Sequence, residues 1–246
     1  MLNESTASKL HDMRLSAMAK AFREQANVYE LNDMPFEERF GLIVDSEWTA
    51  RKNNRLARLI RNAGYEFSNA CIEDIEYHTD RKLDKALISR LATCDYIEKH
   101  HNIIIMGATG NGKTYISNAF GMTACRAFYT VKYIRLPELL GELAVARGEG
   151  RYAKAVKLYK QVNLLIIDEW LLFPLSMSDS RDLLDIISAR HKRASTIFCS
   201  QFAPEGWHDK IGDPVVADAV CDRIVHDSYK ILIQGGGMRK RKGILE

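Results

Sequence analysis

The sequence lacks several features that would place a chain of 246 residues in a special class. No apolar run approaches the ~20 residues that a membrane-spanning helix needs. The first residues show no cationic segment followed by an apolar one, so we expect no signal peptide and a chain that stays in the cytoplasm. The five cysteines include no CxxC pair, which argues against a disulfide framework and a zinc site. A net charge of +3 does not by itself indicate a nucleic-acid-binding protein.

What the sequence does have is two regions with different hydrophobic spacing. Residues 1–68 are predicted to form a helical N-terminal domain, with one amphipathic helix running through Leu10 and Ala21 and a second from Glu37 to Arg61. Residues 69–246 alternate short apolar runs with helical stretches. Continuous apolar strands between helices are typical of a parallel sheet covered on both faces. We therefore predict a three-layer α/β domain with a central parallel sheet, preceded by the small helical domain.

Five short apolar runs in the second region are the strand candidates, at residues 103–106, 131–136, 164–167, 196–199 and 229–233. Helices are predicted between them, at residues 84–99, at residues 113–128 and, as a pair, within residues 137–161. This order places one helix before the first strand and at least one after most of the others.

The most specific pattern is the glycine-rich segment between the first strand and the next helix. Residues 107–114 fit the phosphate-binding loop G-x-x-x-x-G-K-[ST], whose glycines let successive N–H groups point at phosphates. Lys113 would contact the β- and γ-phosphates, and Thr114 would supply a hydroxyl to Mg²⁺. We predict binding of ATP with Mg²⁺. The candidate contacts are Gly107, Ala108, Thr109, Gly110, Asn111, Gly112, Lys113, Thr114 and Tyr115.

An acidic pair follows the third strand candidate. Asp168 and Glu169 come directly after four apolar residues, so they lie at the carboxyl end of a buried strand, where open α/β sheets bind ligands. Asp168 would hold Mg²⁺, and Glu169 could take a proton from the attacking water. A carboxylate directed at water favours ATP hydrolysis over transfer of phosphate to a small acceptor.

Two further candidates have weaker support from spacing. Ser200 and Gln201 end the fourth strand, where either could sense the γ-phosphate or orient water, and we take Gln201 as the catalytic candidate. Arg223 lies in a helical segment, and its spacing alone indicates an ordinary surface arginine paired with Asp222 or Asp227.

The order of these motifs resembles the AAA+ ATPases, and within them the DnaA/DnaC clade and the IstB-type transposition helper proteins. The resemblance runs from about residue 10 to the end. It is carried by LATCDYIEKHHNIIIMGATGNGKTYISNAFG, LLIIDEW, TIFCSQ, ADAVCDRIVH and GGGMRKRK. The loop is specific only to the superfamily, whereas ADAVCDRIVH and the short terminus with Met-Arg-Lys are more specific to the family.

The resemblance implies an ATPase that works as a homo-oligomer with its sites between subunits. Arg223 would be an arginine finger acting in trans, and Arg239 would be a second sensor arginine at the nucleotide. Residues 137–161 would match the helical insertion of the initiator clade. The protein would bind and bend duplex DNA in a bacterium and recruit the transposase of the same insertion sequence.

The chain departs from the family at two places. Glu169 stands where the family often has Asp, and glutamate remains competent as a base. Glycines 235–237 stand where the family often has Glu-Ser, which removes any contact that the serine would make.

A cluster of basic residues without an intervening acid lies in the second N-terminal helix. Arg51, Arg55 and Arg58 recur on one helical face, with two more cations nearby. Such a stripe can neutralise DNA phosphates without reading bases, although a solvated helix face is the commoner outcome. Given the family resemblance, the DNA-binding candidates are Arg51, Lys52, Arg55, Arg58 and Arg61.

Two alternatives stay open. A helicase loader of the DnaC type would favour single-stranded DNA and a replicative helicase as partner. A nucleotide or metabolite kinase would transfer phosphate to a small acceptor, for which the sequence shows no acceptor site.

Overall fold

The computed structural model describes residues 2–25, 27–28 and 33–238. The chain divides into two compact units, Met1–Arg58 and Leu59–Glu246. The domain boundary predicted between residues 68 and 69 remains a prediction. Within the described residues, no helix has both the length and the apolarity that crossing a bilayer requires.

The first unit contains helices α1 (Leu2–Asp12) and α2 (Ser16–Gln25) and most of α3 (Phe36–Ala63), whose last residues belong to the second unit. The prediction of one helix through Leu10 and Ala21 is wrong, because Arg14 adopts a left-handed conformation with φ of 60°. The N–H of Arg14 then donates to the carbonyl of His11, and that of Leu15 to the carbonyl of Leu10. This pair of hydrogen bonds closes a helix at its C-terminus and starts a new direction.

Glu47 of α3 connects α3 to the start of α2. Its Oε2 accepts hydrogen bonds of 3.0 Å from the backbone N–H groups of Ala17 and Met18. Its Oε1 accepts from Nε of Arg51 at 2.7 Å. The hydrogen bond from Arg51 is the largest cause that holds the pKa of Glu47 below its ordinary value.

The second unit contains a five-stranded parallel sheet in the order β2-β3-β4-β1-β5. The strands are β1 Asn102–Gly107, β2 Val131–Arg135, β3 Leu164–Trp170, β4 Ser195–Ser200 and β5 Ser228–Ile233. The helices are α4 Lys85–Leu91, α5 Asp95–Glu98, α6 Lys113–Arg126, α7 Leu136–Gly148, α8 Tyr152–Gln161, α9 Met177–Arg190, α10 His208–Ile211 and α11 Pro214–Val225. The predicted three-layer parallel fold and its five strands are confirmed.

Alternate side chains of the central strands bury themselves on opposite faces of the sheet. In β3, Leu165 and Ile167 join the cluster formed with α7, α8, α9 and α11. The side chain of Ile166 points the other way, toward Gly121 of α6. Because both faces are covered, the central strands β1, β3 and β4 are almost entirely buried and largely apolar, which is the pattern that the sequence showed.

Two predicted helices end earlier than their apolar spacing suggests. The stretch 84–99 forms two helices, α4 and α5, because Cys94 between them has a φ of 67°. The helix predicted to reach residue 128 stops at Arg126, and Phe128 adopts a φ of 65°. Neither stop contains the glycine that usually marks a helix end.

A buried arginine joins α8, α9 and β4. Arg190 is 2% exposed. Its guanidinium donates to Thr196 Oγ1 at 3.0 Å, to the carbonyls of Tyr159 and Val162 at 2.8 Å each, and to the carbonyl of Ser195. One side chain therefore satisfies the backbone at the end of α8 and the start of β4.

We predict that Arg190→Met, which keeps the side-chain bulk and removes the donors, lowers the free energy of unfolding by about 3 kcal/mol or more, because buried acceptors lose their partners. Urea denaturation followed by tryptophan fluorescence measures this, since Trp170 and Trp207 are fully buried in the same unit. The exposed Arg193→Met is the matched control, with an expected change within about 0.5 kcal/mol. Equal stability of the two variants would contradict the role of Arg190.

Candidate nucleotide-binding site

The phosphate-binding loop lies between β1 and α6, and two of its glycines are required by the geometry. A Cβ on Gly107 would lie 2.7 Å from the carbonyl oxygen of Ile233, so only glycine lets β1 and β5 end this close together. Gly112 has a φ of 88° and caps α6, with a Cβ position 3.2 Å from Nη2 of Arg81. The loop thus presents the N-terminus of a 14-residue helix toward a ligand.

Lys113 and Thr114 begin α6 and face the carboxyl ends of the strands. Lys113 is 9% exposed, and its Nζ donates to the carbonyls of Gly107 at 2.7 Å and Ala108 at 2.9 Å. The hydroxyl of Thr114 donates to Oδ2 of Asp168 at 2.6 Å. The structure therefore brings together the lysine, the hydroxyl and the first carboxylate that the sequence predicted for one site.

The acidic pair lies in a β-bulge. The register between β3 and β4 shifts between Ile167 and Trp170, and Glu169 has a left-handed φ of 54°. In a regular strand two consecutive side chains would point to opposite faces. The bulge lets both Asp168 and Glu169 line one cavity, at a backbone cost of about 1–3 kcal/mol for the left-handed residue.

The two sensor candidates at the end of β4 have different surroundings. The hydroxyl of Ser200 is buried, donates to the carbonyl of Trp170 at 3.2 Å and accepts from the N–H of Phe202 at 3.1 Å. Gln201 is exposed and lines the same cavity as Lys113 and Glu169. The position of Gln201 is the one that can meet a ligand.

Residues of the phosphate-binding loop line two cavities. A cavity of about 110 Å³ contains the polar groups at the strand ends, including Thr109, Lys113, Asp168, Glu169 and Gln201. A second, of about 720 Å³, is also lined by Lys113 and Thr114 and has room for a nucleoside. It is lined by Phe67, Asn69, Asp74, Ile75, Glu76, Arg81, Gly110, Gly112, Tyr115, Ile116 and Met238.

The loop is also held by Arg81, which no motif indicated, and by β5 and the segment that follows it. Arg81 is 3% exposed, and its Nη2 donates to the carbonyl of Asn111 at 2.9 Å. The Asn111 amide donates to the carbonyls of Ile233 at 3.4 Å and Gly235 at 3.3 Å. The N–H of Met238 donates to the carbonyl of Gly110 at 2.8 Å. Asn111 is thus held from both sides, and its side chain supports the loop.

Three further polar residues lie at the site without having been predicted. Arg135 ends β2 beside Asp168 and lines the smaller cavity together with Glu66. Tyr133 places its hydroxyl 3.2 Å from Oδ2 of Asp168. Arg135 follows the rule that located Asp168 and Gln201, since it stands at the carboxyl end of a strand. Glu66 lies in a loop with no pattern around it.

The structure does not bring Arg223 to the loop of its own chain. Arg223 lies in α11, beside Asn102 and Thr196 at the amino ends of β1 and β4. Its Nη1 donates to the carbonyl of Ala219 at 2.6 Å. The loop is at the opposite end of β1, roughly 17 Å away for a strand of this length. Arg239 lies outside the described residues.

The five cations of the basic stripe of α3 lie on the surface of the helix. Arg51 pairs with Glu47, one turn earlier, and its Nη2 donates to the carbonyl of Arg14 at 3.1 Å. The Nζ of Lys52 lies 4.4 Å from the centre of the Trp48 ring. The other three cations of the stripe, Arg55, Arg58 and Arg61, are exposed.

Comparison with known proteins identifies the family to which this chain belongs. The family model of the IstB-like ATP binding proteins matches residues 8–245. An insertion sequence ATP-binding protein of Sinorhizobium fredii, y4pL, is 40% identical over 242 residues, which cover 98% of both chains. The ATP-binding protein of insertion sequence IS21 from Pseudomonas aeruginosa is 27% identical and covers 98% of this chain and 91% of its own.

Solved structures share the fold of the second unit. DnaA of Aquifex aeolicus bound to AMPPCP superposes with a TM-score of 0.58 and 18% identity over 71% of this chain, which spans 53% of that DnaA chain. A DnaC helicase loader superposes with a TM-score of 0.56 and 16% identity over 68% of this chain and 97% of its own. The resemblance that the motifs indicated is confirmed, and this protein belongs to the IstB-like ATP-binding proteins, with an AAA+ fold of the DnaA/DnaC kind.

Proposed function

We propose that this ATP-binding protein hydrolyses ATP to ADP and phosphate and uses the nucleotide to control its assembly on duplex DNA. The observation that carries the proposal is the 2.6 Å hydrogen bond between Thr114 and Asp168, with Glu169 lining the same cavity. A hydroxyl and a carboxylate oxygen side by side suit a hard cation such as Mg²⁺. Phosphate oxygens and water would supply the other oxygen ligands that such a cation prefers.

The chemistry assigns one task to each residue. Lys113 exchanges its loop carbonyls for β- and γ-phosphate oxygens, which accept stronger, charge-assisted hydrogen bonds. Thr114 and Asp168 would hold Mg²⁺, which when bound offsets the negative charge that develops on the phosphates. Glu169 takes the proton of the attacking water, and Gln201 orients that water. A neighbouring subunit supplies Arg223 to the γ-phosphate.

The DNA and transposase parts of the proposal rest on the family and on α3. Relatives of this chain are named as ATP-binding proteins of insertion sequences, which favours the transposase of the same element as partner over a replicative helicase. The likeness to a DnaC loader lies in the fold alone. A sequence-tolerant contact through the exposed arginines of α3 suits a protein that selects insertion targets broadly.

Substitutions in the phosphate-binding loop and in the bulge of β3 test the proposed hydrolysis of ATP. Lys113→Ala should abolish binding of a fluorescent ATP analogue, because the phosphates lose their cation. Glu169→Gln should bind the analogue as the wild type does and release phosphate at least about 100-fold more slowly, since no base remains. Lys99→Ala, whose side chain is 61% exposed, is the control for Lys113→Ala. Wild-type turnover by Glu169→Gln, or phosphate transferred to a small acceptor, would contradict hydrolysis by Glu169.

The trans role of Arg223 is tested by mixing inactive variants. Arg223→Ala keeps its own loop, and Lys113→Ala keeps its own arginine, so neither should hydrolyse ATP alone. Mixed together with duplex DNA, they should recover phosphate release, because some interfaces combine an intact loop with an intact arginine. The double variant Lys113→Ala/Arg223→Ala should rescue neither. A mixture that assembles and remains inactive, or a fully active Arg223→Ala, would refute the assignment.

The DNA contact is tested by its salt dependence. Arg55→Gln/Arg58→Gln should weaken duplex binding, and the slope of log K against log salt concentration should fall by about 2, one for each lost phosphate contact. Lys9→Gln/Lys20→Gln removes the same charge from α1 and α2 and should leave the slope unchanged. An unchanged slope for the arginine pair would place the DNA elsewhere.

A further inference from the structure

The segment that follows β5, residues 234–238, runs along the phosphate-binding loop, and we call it the strap. The N–H of Gln234 donates to the carbonyl of Arg81 at 3.0 Å, and the N–H of Met238 donates to the carbonyl of Gly110 at 2.8 Å. Between these two contacts, the carbonyl of Gly235 accepts from the side-chain amide of Asn111 at 3.3 Å. The strap is therefore bound to the loop at two points and to Arg81 at a third.

Gly235 fixes the path of the strap. Its φ is 80°, and a Cβ at this position would overlap the carboxylate of Asp80 and lie 2.9 Å from the carbonyl oxygen of the same residue. The N–H of Gly236 donates to Oδ2 of Asp80 at 3.4 Å. A Cβ on Gly236, in contrast, would meet no atom of the described residues within 4 Å. The close approach to Asp80 thus requires glycine at 235 and leaves room for a side chain at 236.

The contacts of the strap and of Arg81 set the orientation of two successive peptides in the loop. Met238 takes the carbonyl of Gly110, and Nη2 of Arg81 takes the carbonyl of Asn111 at 2.9 Å. In a planar trans peptide the carbonyl and the N–H that follows it point in opposite directions. The N–H groups of Asn111 and Gly112 are therefore turned away from the strap. N–H groups of this kind are what such a loop uses to bind phosphates.

The side chain of Met238 lies at the cavity that has room for a nucleoside. It lines the cavity of about 720 Å³, and its Cγ is 3.9 Å from the place that a Cβ on Gly112 would take. The rings of Phe67 and Tyr115, with centroids 5.9 Å apart, line the same cavity. A thioether side chain is flexible and packs favourably against aromatic rings, and the base of a nucleotide is such a ring.

We propose that the strap is part of the nucleotide site. Its backbone orients the peptides of the loop that bind phosphate, and the side chain of Met238 packs against the nucleoside of bound ATP. The proposal goes beyond the proposed function, because it concerns how ATP is bound and does not depend on hydrolysis, on assembly or on DNA.

Gly235→Ala should weaken binding of the non-hydrolysable analogue AMPPCP with Mg²⁺ by at least about tenfold, because the new Cβ moves the strap away from Asp80 and the loop. Isothermal titration calorimetry on the full chain measures this affinity. Gly236→Ala is the matched control, with an expected change of less than about twofold, since its Cβ points into open space. Both variants should give the wild-type circular dichroism spectrum without nucleotide. Wild-type affinity in Gly235→Ala overturns the proposal.

Met238→Ala keeps the N–H that binds Gly110 and removes the side chain, so it should weaken AMPPCP binding by at least about fivefold. Met238→Leu restores an apolar side chain of similar size and should bind within about twofold of the wild type. Met177→Ala, at a position of α9 that is 51% exposed, should leave the affinity unchanged. If Met238→Ala bound AMPPCP as tightly as the wild type, the side chain would have no contact with the nucleoside and the proposal would fail.

A crystal structure of the full-length protein with AMPPCP and Mg²⁺ tests both parts directly. The side chain of Met238 should lie within about 4 Å of the base or ribose, and its N–H should still donate to the carbonyl of Gly110. A strap displaced from the loop, or a Met238 side chain turned toward solvent, would overturn the proposal even if the wild type hydrolyses ATP. Conversely, a wild type that shows these contacts and has no ATPase activity would refute the proposed function and leave the role of the strap established.

Discussion

The single direction of the five strands is the constraint on which the site depends. Because all strands are parallel, their carboxyl ends share one edge, and residues far apart in sequence meet there. Lys113 follows β1, Arg135 ends β2, the acidic pair lies in β3 and Gln201 follows β4. A mixed sheet would send some of these groups to the opposite edge. Helices cover both faces of this sheet, so its central strands are largely apolar. Their apolar runs are what allowed the strands to be predicted from the sequence.

The second constraint concerns the two carboxylates of β3 and requires a departure from regular strand geometry. Two adjacent carboxylates can face one cavity only if the strand abandons its alternation, and the bulge with a left-handed Glu169 does this. The strained residue thus lies in the cavity beside the phosphate-binding loop, and the apolar residues before it keep the strand in place. The hydrogen bond from Thr114 and the nearby Tyr133 hydroxyl then hold Asp168 against the start of α6.

The sequence allowed the prediction of all five strands and of the loop, because strong apolar runs and a matched glycine pattern both have one dominant structural solution. Helix ends were harder to predict. Arg14, Cys94 and Phe128 each adopt a left-handed conformation without being glycine, which the local sequence does not predict. Glu66 could not be predicted, because it lies in a loop with no motif, next to Tyr65, whose ring packs against Gly121 of α6. Arg135 could have been predicted, since it is the last residue of its strand and Asp168 lies close to the end of the neighbouring strand.

Arg223 and the phosphate-binding loop lie at opposite ends of the sheet, so the two ends of the molecule differ. If Arg223 completes the site of a neighbouring copy, as proposed, the contact between the two copies joins unlike surfaces. Head-to-tail contacts of this kind close into a ring or grow as an open helix. In an open helix the first and last subunits each keep one half-site unused, so the number of complete sites is one fewer than the number of subunits. Nucleotide at the unfilled end would outlast nucleotide in the interior, and the two ends of such an assembly would differ in age and in stability.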